Sequence, residues 1–285
     1  RNTTLERLYF YNGADEGFYE VLASAPQHNS TLQDLVLPTP GSCSWLSPLF
    51  LALEVNVGLK KLCIPGIDLI DEKLSTAMRL GLGNNSTLKS LSFLWITAHN
   101  ETSLWQEALS FLHTNTALET LDMHFEHNVK KSLADAIRME LPAALRENES
   151  LEALSLLSDD VRSEDYLEFV AAIHPNTTLK RLQMNAVRLY VHDDKRMNDL
   201  IPVLKKNYRL EEIPGLDLGA GDVNSILKLN QAGRRYLVQD GSSISKGVAV
   251  LSRVNDDINS VLFHLLENPI LCNRSAVEMS SSSIG

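Results

Sequence analysis

The chain has 285 residues, 44% hydrophobic and 22% charged, an ordinary globular usage that excludes a disordered polymer. Its 26 Lys and Arg against 36 Asp and Glu leave a formal net charge of -10, which argues against nucleic acid and anionic membranes and mildly favours a basic partner. Three cysteines, Cys43, Cys63 and Cys272, cannot build a disulfide framework, no Cys/His zinc spacing occurs, and no apolar run reaches the ~20 residues that span a bilayer.

One phrase recurs along the chain: Asn, two residues, Leu, two residues, then Leu or Ile. Its copies are Asn2-Leu5-Leu8, Asn29-Leu32-Leu35, Asn56-Leu59-Leu62, Asn85-Leu88-Leu91, Asn115-Leu118-Leu121, Asn148-Leu151-Leu154, Asn176-Leu179-Leu182 and Asn207-Leu210-Ile213. The Asn positions are 27 to 33 residues apart and nothing slips inside the phrase. The chain starts at Arg1, inside the first copy, as expected of a fragment. Asn tolerates left-handed backbone and bonds its neighbours, so each copy opens on a turn. Two residues after the second Leu stands another apolar residue: Phe10, Leu37, Ile64, Phe93, Met123, Leu156 and Met184. That period of two predicts a short strand with one buried face. In the eighth copy Pro214-Gly215 interrupts the pattern, so this strand is expected to be short or at an edge.

Helical periodicity fills the intervals. Helices are predicted over 15–25, 44–55, 71–82, from Ser103, over 130–146 with Pro142 near its end, over 163–173, and over 193–206 with Pro202 as a kink. Asp, Ser or Thr stands near most of their starts. One strand and one helix per ~29 residues cannot bury their own apolar face, so neighbours must stack. The strands become a parallel concave sheet and the wider helices an outer layer: an α/β fold, specifically a right-handed β–α solenoid of about eight repeats.

Repeats of this length, with Leu-x-x-Leu-x-Leu strands and full helices, resemble leucine-rich repeats of the ribonuclease-inhibitor-like subtype over residues 1–218. The resemblance implies the horseshoe form of the solenoid. The family carries Asn or Cys three residues after the last strand apolar residue. Here Gly13, Pro40, Ile67, Ile96, Glu126, Asp159 and Val187 stand there, which puts the family's ladder of buried amides in doubt and predicts irregular bends after the strands.

Beyond the solenoid (1–221) the pattern changes. A helix is predicted over 222–239, and Ile258, Val261, Leu262, Leu265 and Leu266 form an amphipathic stripe ending at Asn268-Pro269. Residues 222–274 suit the atypical helical cap that covers the last apolar layer of a solenoid. The Ser-rich stretch 275–285 reads as a disordered tail. Residues 232–272 faintly resemble the ends of uncharacterised repeat proteins from diatoms and related algae, a group with no activity to carry over.

Recognition is expected on the inward-facing strand positions. One row reads Arg7, Asp34, Lys61, Ser90, Thr120, Ala153, Arg181 and Glu212; the other reads Tyr9, Val36, Cys63, Ser92, Asp122, Ser155 and Gln183. No aromatic or basic residue repeats along them, as a polysaccharide or nucleic-acid groove would require, so a protein partner fits better. Trp95 and Phe125 fall at equivalent places in adjacent repeats; they either form an exposed aromatic pair at the upper rim or pack under the neighbouring loops. Arg7, Tyr9, Lys61, Trp95, Asp122, Phe125 and Arg181 are the expected partner contacts.

Chemistry is not expected. His124 and His127 flank Glu126 without a further ligand, so no metal site is predicted. His192-Asp193-Asp194 reads as a helix start. No Gly-x-Ser-x-Gly, phosphate loop or dinucleotide fingerprint occurs, so no catalytic residue and no cofactor is assigned. Cys63 could be a reactive thiol but is better read as a small, half-buried residue. Glycosylation sequons stand at Asn2, Asn29, Asn84, Asn85, Asn100, Asn148, Asn176 and Asn273, and most coincide with the repeat's own Asn turn. The expected function is therefore a monomeric, non-enzymatic scaffold that binds an unknown protein, cytoplasmic or nuclear. The alternatives are an enzyme regulator (an inhibitor of a basic enzyme or a GTPase-activating scaffold) and a secreted recognition receptor.

Overall fold

Each Leu-x-x-Leu phrase ends in a strand, and the strands lie side by side. In the computed structural model they are β1 (Arg7–Tyr9), β2 (Asp34–Val36), β3 (Lys61–Ile67), β4 (Ser90–Ile96), β5 (Thr120–Phe125), β6 (Ala153–Leu157) and β7 (Arg181–Met184). They form one open parallel sheet in chain order. The structure describes residues 4–10, 21–22, 29–38, 46–67, 70–96, 102–125, 131–157, 169, 171–184, 194–214, 221–234, 253 and 261. The register is that of the phrase: Leu8, Leu35, Leu62, Leu91, Leu121, Leu154 and Leu182 pair in line. A slip of one residue would turn this leucine row to solvent, and its burial from Leu35 onward fixes the register. The eighth copy adds only the bridge Arg181↔Glu212, as Pro214 dictates.

The helices are α1 (Leu46–Leu53), α2 (Glu72–Asn84), α3 (Thr102–Leu109), α4 (Lys131–Glu147), α5 (Asp194–Lys206) and α6 (Gly221–Gln231). The helices expected over 15–25 and 163–173 lie mostly outside the described residues; 21–22, 169 and 171–173 are helical. The Asp71 carboxylate accepts the Leu74 N–H at 2.7 Å and caps α2. A tighter 3-10 turn, Ser110–His113, extends α3 and turns Phe111 and Leu112 into the core. Phe50, Phe93, Trp105, Phe111 and Phe169 are fully buried between the layers, with the Phe50 and Phe93 rings tilted at 45° and 6.4 Å apart. Among the described residues no helix is long and apolar enough to cross a membrane.

Neighbouring helices are tied by polar contacts on the outer layer. Glu107 of α3 accepts from Ser75 Oγ (3.0 Å), Thr76 Oγ1 (2.9 Å) and Arg79 Nε (3.3 Å) of α2. Burial pushes the Glu107 carboxyl up, but the Thr76, Ser75 and Arg79 hydrogen bonds and the Arg79 charge outweigh it and hold the carboxyl below its ordinary value. A carboxyl lowered on folding stabilises above its unfolded value, and that contribution is lost as pH falls through the folded one. Glu107→Gln is therefore expected to flatten the acid limb of a plot of thermal midpoint against pH. An unchanged limb would show that the staple is not ionic.

The phrase's Asn is the seam of the fold. Asn56, Asn85, Asn115, Asn148, Asn176 and Asn207 are buried. In Asn148, Nδ2 donates to the Leu112 carbonyl (2.7 Å) and the Asn115 carbonyl (3.1 Å), while Oδ1 accepts from the N–H groups of Ser150 (3.0 Å) and Leu151 (2.7 Å). Asn115, Asn176 and Asn207 make the same four bonds in their own repeats. Each side chain thus satisfies a helix-end carbonyl and two strand-entry N–H groups that would otherwise be buried without partners. The expected left-handed turn is not used: Asn85 sits at φ -72, ψ 127. The ladder of buried amides questioned after the strands exists, but at the strand entries.

The last rung comes from outside the phrase. Asn230, in α6, donates to the carbonyls of Asn207 (3.0 Å) and Leu210 (2.7 Å). Arg234 follows, its guanidinium donating to the end carbonyls Leu204 and Lys205 of α5 and lying 4.9 Å over the Tyr208 ring. Of the segment 222–274, only 222–234, 253 and 261 are among the described residues, and the stretch 275–285 lies outside them.

Candidate functional site

The side chains that do not enter the core between strand leucines project from the sheet's other face. Both rows predicted from the sequence are realised in register: Arg7, Asp34, Lys61, Ser90, Thr120, Ala153 and Arg181 align, as do Tyr9, Val36, Cys63, Ser92, Asp122, Ser155 and Gln183. Arg7, Tyr9 and Lys61 meet in a shallow pocket of about 280 Å³ completed by Asp34, Val36, Cys63, Ser90 and Ser92. Tyr9 is 44% exposed there, and Arg7 pairs with Asp34 at 3.3 Å. Asp122 lies on β5 and accepts from Ser92 Oγ at 3.1 Å. Arg181 stands apart on β7 and faces Glu212 at 3.7 Å.

Cys63 is half-buried in this pocket. Burial, and then the nearby Asp122 charge, push its thiol above the ordinary value, the opposite of an activated nucleophile. His124 is half-buried; His127 lies outside the described residues. Among the described residues no three His, Cys, Asp or Glu side chains gather as metal ligands would.

At the upper rim the two aromatic residues part, Trp95 exposed and Phe125 packed, so neither alternative holds for both. Phe93 pairs with Met123, but Ile96 pairs with Phe125, so two residues of β4, Leu94 and Trp95, oppose the single His124 of β5. This bulge makes Phe125 the counterpart of buried Ile96, not of Trp95. Phe125 is half-buried and packs against the core. Trp95 is 64% exposed and takes φ 60. Its counterpart on β3 is Gly66, at φ 83, because Pro65 pairs with Leu94 and Ile67 with Ile96. One neighbour meets the left-handed bend with glycine and the other with tryptophan, at a cost of about 1–2 kcal/mol. Trp95→Gly is accordingly expected to raise stability by about 1 kcal/mol in denaturant unfolding. A loss of stability instead would mean that the indole packs rather than projects.

One row was missed in the sequence: the residue just before each strand. Gln33, Lys60, Lys89, Glu119, Glu152, Lys180 and Glu211 are linked backbone to backbone in the same order. Lys89 pairs with Glu119 and Lys180 with Glu152, both at 2.8 Å. Burial raises the Glu211 carboxyl, with Lys180 opposing and Glu152 adding. The signal was present in the phrase, as the first of the two residues between its leucines, but period-two reasoning assigned that residue no face.

No family model and no curated protein matches the chain. Among solved structures, leiomodin-1 actin-binding site 2 is similar to it, at 20% identity and a TM-score of 0.44, over 57% of this chain and 91% of that one.

Proposed function

We propose that this chain is a leucine-rich-repeat scaffold of the ribonuclease-inhibitor-like subtype, which binds another protein on its inner strand face and performs no chemistry. The observation that carries the reading is Trp95: a large aromatic held exposed, in a strained backbone conformation, at the rim of an ordered sheet face. Tyr9, Lys61 and Arg7 gather below it, and Asp122 and Arg181 extend the face toward β7. A repeat of 27–33 residues, with helices between most of the described strands, supports the subtype, and the Asn230 and Arg234 bonds support a cap that begins at 222.

The rival readings lose support from specific residues. An inhibitor of a basic enzyme would present a continuous acidic face, and Lys60, Lys61, Lys89, Lys180 and Arg181 interrupt this one. A secreted receptor would carry occupied sequons, yet the Nδ2 atoms of Asn85, Asn148 and Asn176 are buried and donate to carbonyls. Glycan transfer to those nitrogens and closure of the ladder exclude each other. These buried ladder positions support a cytoplasmic or nuclear address.

The test is affinity capture from source cells with the full chain and with a variant carrying Arg7→Ala, Lys61→Ala, Trp95→Ala and Arg181→Ala. A partner retained by the first and lost by the second supports the reading. A partner bound equally by both moves the site off the inner face and sinks it.

A further inference from the structure

Resting on the inner-face reading, we propose that the pocket between β1 and β4 anchors an acidic side chain on an extended segment of the partner protein. The argument is an inventory of charge. Along the inner rows, Arg7–Asp34, Lys89–Glu119, Lys180–Glu152 and Arg181–Glu212 each pair with the neighbouring strand. Lys60 and Lys61, adjacent on the chain at the start of β3, have no ion-pair partner among the described residues. Lys60 stands between Gln33 and Lys89, and Lys61 between Asp34 and Ser90. The thiol of Cys63 stays protonated. Asp34 is held by Arg7, and Glu6, the other facing carboxylate, stands two strands away before β1.

Arg7 and Lys61 around the single Asp34 carboxylate, with Lys60 next to Lys61 on the chain, leave a local excess of positive charge in a chain of net charge -10. The rest of the pocket suits a carboxylate. The Ser90 hydroxyl has no hydrogen-bond partner among the described residues and can donate, and exposed Tyr9 supplies an aromatic wall for the stem of a glutamate. The site is also bounded. Asp122 closes the β4 side, its carboxylate bonded to Ser92 Oγ at 3.1 Å, and Glu119 stands just before β5, two strands beyond β3. At about 4.8 Å per strand that is about 10 Å, or about three residues of extended chain crossing the sheet. An acidic run much longer than that meets like charge, so the segment must turn neutral or basic about three residues on.

The test uses the full chain, isotope-labelled for NMR, and a blocked peptide of about ten residues: two adjacent glutamates and a lysine three residues later in a Gly/Ser background. The expected result is shifts centred on the amides of Lys61, Cys63, Ser90 and Ser92. Lys61→Glu should weaken binding at least tenfold at low salt, while the charge-matched Lys73→Glu on α2 leaves it unchanged. Thermal midpoints check that both variants fold. A charge-reversed peptide that binds as well overturns the proposal, as does a phosphoserine peptide that binds where the glutamate peptide does not. Shifts confined to β5–β7 overturn the anchor but leave the inner face standing. No shift with any peptide also overturns the anchor, and the capture experiment with Trp95→Ala then decides the inner face separately.

Discussion

Gly81→Ala is expected to destabilise the chain by about 2–3 kcal/mol in denaturant unfolding, although alanine is the better helix former by about 1 kcal/mol. Gly81 sits inside α2, where that helix lies against α1. A Cβ built on it would overlap the carbonyl oxygen and carbon of Phe50 and lie 3.2 Å from the Leu51 nitrogen. Those are backbone atoms of a packed helix and cannot rotate aside, so α1 and α2 must separate. Separation uncovers Phe50, Met78 and Leu82, all fully buried at that seam. Gly83 is the control. Its added Cβ would meet the Thr114 hydroxyl at 2.7 Å, the end of a side chain that can turn. Gly83→Ala is therefore expected to fall within about 1 kcal/mol of the parent. If Gly81→Ala proved neutral as well, the close approach of the two helices would be refuted.

The second large effect is expected at the ladder. Asn148→Ala removes five hydrogen bonds and strands the Leu112 carbonyl and the N–H groups of Ser150 and Leu151 in a buried seam, while the Asn115 carbonyl keeps the Ser150 hydroxyl. A buried polar group left unpaired costs about 1–3 kcal/mol, and partial relaxation toward water reduces the sum, so a total near 3–5 kcal/mol is expected. Hydrogen exchange locates the damage: the amides of Ser150 and Leu151 should lose protection first. Ser150→Ala, which removes one hydroxyl shared between the Asn115 carbonyl at 3.2 Å and Asn148 Oδ1 at 3.3 Å, should cost under about 1 kcal/mol. Equal losses in the two variants would show that the Asn side chain is not the seam.

Much of this architecture was legible because it repeats. Eight copies of one phrase fix strand direction, register and layer order, since each copy has the same apolar face to bury. The Asn was read correctly as a turn that bonds neighbouring backbone. Its second pair of bonds, backward to the previous repeat, depends on stacking and is invisible inside one copy. Asn230 was missed for the same reason: it belongs to a helix and to no phrase, yet its amide reaches the carbonyl of the last phrase Asn, Asn207, and that of Leu210. Trp95 and Phe125 were aligned by counting from the second Leu. The count fails because β4 holds one more residue than β5 between shared pairing positions, and nothing in either segment taken alone announces a bulge. Lys60 and Lys61 were visible as charges. That they lack an ion-pair partner among the described residues of the inner rows became visible only once Lys89 was seen to face Glu119.

The ladder also has a direction. Every rung from Asn85 to Asn230 reaches back to the repeat before it and none reaches forward, so the side-chain amide bonds between repeats run in one line alongside the strand ladder. Tension applied along the solenoid would load these rungs one at a time, as a zip is opened tooth by tooth. Each released repeat frees 27–33 residues of chain. At about 3.3–3.6 Å per residue that is a step of about 100 Å in length. A chain built this way can yield to a pull in discrete instalments while the repeats beyond the break remain folded.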